Sequence, residues 1–277
     1  MQGSIAQIVA LVLFGNQYLS GTPVTDFWPS ASVFHFDATV HFVILSGPTA
    51  PRTETEIAPD PMAWFDWLKA EKITGLRLHF VPKSKTPKED RTQAGFAGGG
   101  GRWLIEAIRD TQTSDFWEAR WRLGDRQAAD RKIWIVTYGR IAEGDRRRSE
   151  VDPPLAKLKD DFEQVLGEIA EFADQHDKAN FAVSFRRGQA LLYDQHPLAE
   201  GYHGDFVRSS RLSLEGAQLL GAAVAAWVFG GMGSWNDMSF EGEDQKRYDN
   251  LSDSLFVLLT RAIAASANTT LAEAARQ

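Results

Sequence analysis

The 277-residue chain contains no cysteine. That excludes a disulfide framework, thiolate metal ligation and a cysteine nucleophile, and it suits a reducing compartment. No apolar run reaches the ~20 residues needed to cross a bilayer. The most apolar stretches are SIAQIVALVLFG at the N-terminus and the segment Leu219–Phe229. No Lys or Arg precedes the first, and no small-residue cleavage site follows it. It therefore reads as a first strand or a buried helix rather than a targeting segment, and a cytoplasmic location is the default. The chain also lacks the GxSxG nucleophile elbow, the HExxH zinc motif and the GxxxxGK[ST] phosphate loop.

Positive charge is in deficit overall, with a net charge of −7, but the balance is uneven: −4 over residues 1–76, +6 over 77–148 and −9 over 149–277. Either the basic middle faces an acidic partner, or the parts of one molecule attract each other. The overall acidity argues against nucleic acid. Arg146-Arg147-Arg148 lies between Asp145 and Glu150 and reads as a solvated linker. Neither a nucleic acid nor a membrane is expected as a partner.

Aromatic residues, by contrast, are plentiful, with nine tryptophans. The stretch 213–237 looks like the organising element. It has a Ser213 cap, an apolar run covered on every side, and a stop at Gly230-Gly231. Upstream, VFHFDATVHFVIL alternates as a half-buried strand, with Phe36, Val40 and Phe42 on one side and His35, Asp37 and His41 on the other. Asp60-Pro61 starts a helix after a proline-rich loop, and LRLHFV forms a second strand. Residues 83–101 read as an irregular charged and glycine-rich segment, followed by a short helix RWLIEAIRD and strands in FWEARWRL and KIWIVTYGRI. Beyond the charged segment 143–154, Asp152-Pro153 opens a long amphipathic helix. Helices follow at 178–194, at 213–229 and from about residue 250 to 268.

The expectation is an α+β protein. A mostly antiparallel sheet with one or two helices fills 1–148, and a helical bundle fills 149–277, the halves being separate or packed as one body.

Three places can carry chemistry. His35, Asp37 and His41, two and four residues apart on one strand face, can converge on a divalent metal. Gly98, Gly99, Gly100 and Gly101, followed by Arg102 and preceded by Lys83, Lys85, Lys88 and Arg91, can cradle an anion or nucleotide. Trp235, Asn236 and Asp237 form a polar turn after a rigid buried helix, where binding residues are often carried. No cofactor is specified by these residues.

With no catalytic motif, the residues favour a non-catalytic protein-binding module with a protein partner, of the immunity or antitoxin kind that neutralises a basic protein. One alternative is an enzyme or sensor holding a phosphorylated ligand or nucleotide at 95–102. Another is a metal-dependent hydrolase on the His35/Asp37/His41 face. The nucleotide reading requires Gly98–Gly101 to line a cleft with Arg102 or a lysine turned inward. The metal reading requires three side chains around one point.

Overall fold

The computed structural model describes residues 1, 3–47, 53–96, 98–110, 112–147, 153–198, 204–207 and 212–271. Asp152, expected to cap the long helix, lies outside them. The chain begins with helix α1 (Gly3–Leu19), in which every residue from Ile5 to Gln17 is buried. A helix apolar on all sides must be covered on all sides. Here the cover comes from a sheet, from α2 (Pro61–Ala70) and from the long α7 (Gly242–Asn268). Asp60 caps α2 as expected, its Oδ1 accepting from the Ala63 N–H at 2.8 Å.

Six strands form the sheet: β1 (Asp37–Ser46), β2 (Thr53–Ala58), β3 (Gly75–Val81), β4 (Arg102–Ile108), β5 (Thr113–Leu123) and β6 (Trp134–Arg146). Their order is β2-β1-β6-β5-β4-β3, with only the β1–β6 pair parallel. The architecture is thus α+β, with the sheet in the N-terminal half and a helical C-terminal half of α4 (Leu155–Gln175), α5 (Ala179–Leu191), α6 (Leu214–Ala225) and α7. One cluster of buried residues runs from Ile5 through the sheet to Ala267. Within it Phe42 stacks on Trp64 at 4.4 Å, and Trp64 meets Trp117 edge-on at 5.5 Å.

Four expectations are corrected. RWLIEAIRD contains strand β4, not a helix: it pairs with β3 and β5, and Leu104 to Ile108 are all buried, Ile105 and Ala107 in the main core and Ile108 against Leu271. Burial on both faces erases the alternation that would mark a strand. The irregular segment contains α3 (Pro87–Gln93), started by a Thr86 cap and Pro87 at the first helical position. The loop before Asp60 contains edge strand β2. Finally, α6 ends at Ala225 rather than at Gly230. Trp227 and Phe229, two apart, both reach Phe256 of α7, and a helix would turn them to different sides.

The free edge of β3 is closed by two asparagines. Asn16 of α1 accepts from the Leu76 N–H at 2.7 Å and donates to the Leu76 carbonyl at 2.8 Å. Asn268 of α7 does the same at Leu78, at 2.7 and 3.1 Å. Each side-chain amide stands where a neighbouring strand's peptide would. Replacing Asn268 with Ala strands one buried donor and one buried acceptor, so Asn268→Ala should lower unfolding stability by about 2–4 kcal/mol. Urea denaturation followed by circular dichroism measures this, and a loss within error of zero would contradict the sealing role.

Candidate functional site

The glycine turn takes its position from α3. Asp90 of that helix accepts from the Lys83 backbone N–H at 3.1 Å. Arg91 is buried and donates to Asp249 at 3.0 Å and to Asp253 at 2.7 Å, both on α7. Asn236 closes the clasp, donating to the Arg91 carbonyl at 2.8 Å and accepting from its guanidinium at 3.3 Å. The basic middle of the chain is thus partly neutralised by the acidic C-terminal third of the same molecule.

Beyond α3 the chain passes so close to Gly230 that a Cβ on Gly95 would lie 2.3 Å from the Gly230 carbonyl oxygen. It then turns through Gly98–Gly101 into β4. Gly101 has φ +96°, and a Cβ there would meet the Phe80 ring at 2.4 Å, so no other residue fits.

β4 pairs with β5 only from Leu104 onward, whereas β5 continues to Leu123 paired with β6. The two strands therefore fork at the glycine turn. In and around the fork lies a cleft of about 90 Å³ lined by Gly98, Gly99, Gly101, Arg102 and Lys83, by Trp103, Glu118 and Trp121, and by the first turns of α1. Gly100 is not part of the lining; it packs against Ala94. Arg102 donates through Nε to Glu118 Oε1 at 2.8 Å and through Nη2 to Oε2. This bond holds the guanidinium pKa above its ordinary value, against the smaller effect of desolvation. Lys83 Nζ donates to the Gly98 carbonyl at 2.7 Å.

Four of the five residues expected at this turn therefore line a cleft, together with Lys83. Trp103 adjoins the turn in sequence, but Glu118 and Trp121 join it without any local sequence signal. The pairing of Leu104 with Glu118 would have pointed to them, but it requires β4 to be read as a strand.

The expected metal set does not assemble. A register shift between Asp37 and Thr39 turns Asp37 into the core, while His35 is exposed at the end of a short 3-10 turn. His41 lies on the opposite sheet face from Asp37, with Nε2 2.7 Å from the Thr137 hydroxyl. Among the described residues no group of three His, Asp or Glu side chains could hold a metal.

At the polar turn, Trp235 is buried and donates to the Ser252 hydroxyl at 2.8 Å, Asn236 belongs to the Arg91 clasp, and Asp237 accepts from the Gly233 N–H. All three are tied into the fold.

One further polar cluster sits on the sheet face away from α1. Glu106 accepts from Ser114 at 2.8 Å and lies 2.6 Å from His79 Nε2, with Arg147 at 3.7 Å. Burial pushes the Glu106 carboxyl up, but His79, Ser114 and Arg147 together hold it below its ordinary value. Serine and histidine both bond the carboxylate rather than each other, so no imidazole is placed on the Ser114 hydroxyl.

No protein-family model matches the chain, and neither does any curated protein or solved structure. Among the described residues no helix is long and apolar enough to cross a membrane.

Asp37, turned inward, accepts from Gln7 of α1, and Gln7 accepts from the Tyr138 hydroxyl at 3.0 Å. Burial raises the Asp37 carboxyl to about 7, with the Gln7 hydrogen bond and the Lys132 charge opposing. An unfolded aspartate titrates near ~3.9. Between about pH 4 and pH 7 the folded chain keeps a proton that the unfolded chain has released, so this group's contribution falls as pH rises, by about 4 kcal/mol in all. Asp37→Asn should therefore be more stable than the natural chain at pH 8, with the difference shrinking toward pH 4. Urea titrations at the two pH values test this. A pH-independent difference would show that Asp37 does not carry the proton.

Proposed function

We propose that the chain binds a small anionic group in the cleft at the β4–β5 fork. The observation that supports the reading is the joint presence of the glycine turn, Lys83 and Arg102 in the lining of one cleft. The Lys83 ammonium bonds a neutral carbonyl, so its charge is not cancelled there. Arg102 uses two N–H groups on Glu118, and a guanidinium has five. The first turn of α1 borders the same space, and the free N–H groups at a helix start favour negative charge. The cleft is too small to enclose a nucleotide, since sites for ligands of that size run to roughly 300–1,000 Å³. The bound group is therefore a compact anion or the charged end of a longer molecule.

A second reading, recognition of a protein partner, is favoured by two neighbouring loop tips. Phe96 and Met232 are 62% and 103% exposed, on loops that touch at Gly95 and Gly230. Large exposed apolar side chains on adjoining loops are a feature of docking sites. Phe96 belongs to the same turn as Gly99, whose N–H donates to its carbonyl at 2.9 Å.

Calorimetric titration with acetate and inorganic phosphate tests the anion reading. Lys83→Ala should weaken binding roughly tenfold or more, about 1.4 kcal/mol. Glu118→Gln should strengthen it, because the acid that competes for Arg102 is removed. Unchanged affinity in Lys83→Ala, or weaker binding in Glu118→Gln, would sink the proposal.

A further inference from the structure

We infer that the ligand of this cleft is a small monocarboxylic acid with an apolar or aromatic body. This rests on the anion-binding reading and narrows it by charge, size and wall chemistry.

The charged lining consists of Lys83, Arg102 and Glu118, a net charge of one positive unit. The buried Asp90 carboxylate accepts from the Lys83 backbone and does not line the cleft. A single negative charge neutralises the site. A phosphate dianion would leave an excess negative charge beside Glu118, between walls that solvate charge poorly.

Size acts in the same direction. A space of about 90 Å³ falls well below the roughly 300–1,000 Å³ of sites for drug-sized ligands, so the ligand is compact.

The remaining lining has an apolar part: Ile5 and Ile8 of α1, Ala119, and the indoles of Trp103 and Trp121, beside Ser4 and the glycines. Trp103 is held against Phe80 at 5.0 Å and Trp121 against Trp134 at 5.9 Å, so both rings are in place before a ligand arrives. A purely inorganic anion would leave this surface unused. A carboxylate joined to an apolar body uses the cationic and the aromatic sides together.

The test uses the full chain and three probes: benzoate, its neutral isostere benzamide, and inorganic phosphate, titrated by calorimetry and tryptophan fluorescence. Benzoate should bind at least tenfold more tightly than either of the others. Phosphate binding as tightly as benzoate, or more so, overturns the carboxylate assignment and leaves the anion reading standing. Benzamide matching benzoate shows that charge plays no part, and both fall; so they do if no probe binds. Trp121→Leu, checked for folding by its unfolding midpoint, should weaken benzoate severalfold and weaken it more than acetate. An equal effect on both acids, or none on benzoate, would remove the aromatic wall from the site and with it the inference. The comparison of probes on the natural chain does not depend on that variant folding.

Discussion

The constraint on which the structure depends is the burial of α1 from every side. Its interior position makes each of its polar side chains a liability unless bonded, and Gln7 and Asn16 show how this is met. Gln7 donates to the Asp37 carboxyl and accepts from the Tyr138 hydroxyl, linking α1 to the start of β1 and the middle of β6. Asn16 completes the hydrogen bonding of β3. Apolar packing fixes how much of α1 is buried, and these amides fix its register along the sheet. Its first turns then border the fork between β4 and β5, so the helix that centres the core also borders the candidate site.

The second constraint is the edge of the sheet at β3. An unpaired edge strand invites association with another chain. Here Asn268, at the end of α7, joins Asn16 in closing it, so the last long helix is pinned to the sheet by backbone-like bonds. The same α7 carries Asp249 and Asp253, which hold Arg91 and therefore α3. One helix thus seals the strand and steadies the loop that leaves it. The uneven charge along the chain is partly explained by this clasp, without reference to any partner.

Much of the fold was legible where a pattern is produced by one buried face. The long stripe of α4 and the capped start of α2 fall into that class. Legibility failed where burial is two-sided. β4 looks helical because Leu104, Ile105, Ala107 and Ile108 are apolar on both faces, and the buried Glu106 resembles a polar helix face. The apolar run in α6 drew attention as the centre of the fold, yet α1 is buried along a longer continuous stretch. At the site, the glycines and Arg102 were visible because their chemistry is local. Glu118 and Trp121 join them only through strand pairing, which no local pattern contains. The strand-face metal set failed for a related reason: a single-residue register shift between Asp37 and Thr39 moves the carboxylate to the other side of the sheet.

The position of the cleft follows from these same elements. A glycine turn alone is mobile, and ordering it around a ligand would oppose binding. This turn is restrained from several directions: by α3 through the Arg91 clasp, by the contact between Gly95 and Gly230, by the Phe80 ring under Gly101, and by the bond from Lys83 to Gly98. Arg102 is likewise held in a fixed plane by two bonds to Glu118. A pair of cations held by hydrogen bonds beside restrained indoles would let the proposed ligand bind without first organising the site. Glu118 holds Arg102 and would compete with an anion for it, and in the proposed site the competition is the larger of these opposed effects. That opposition is the physical reason for expecting a monoanion with an apolar body, whose extra contact with the tryptophans offsets the charge interaction that Glu118 takes away.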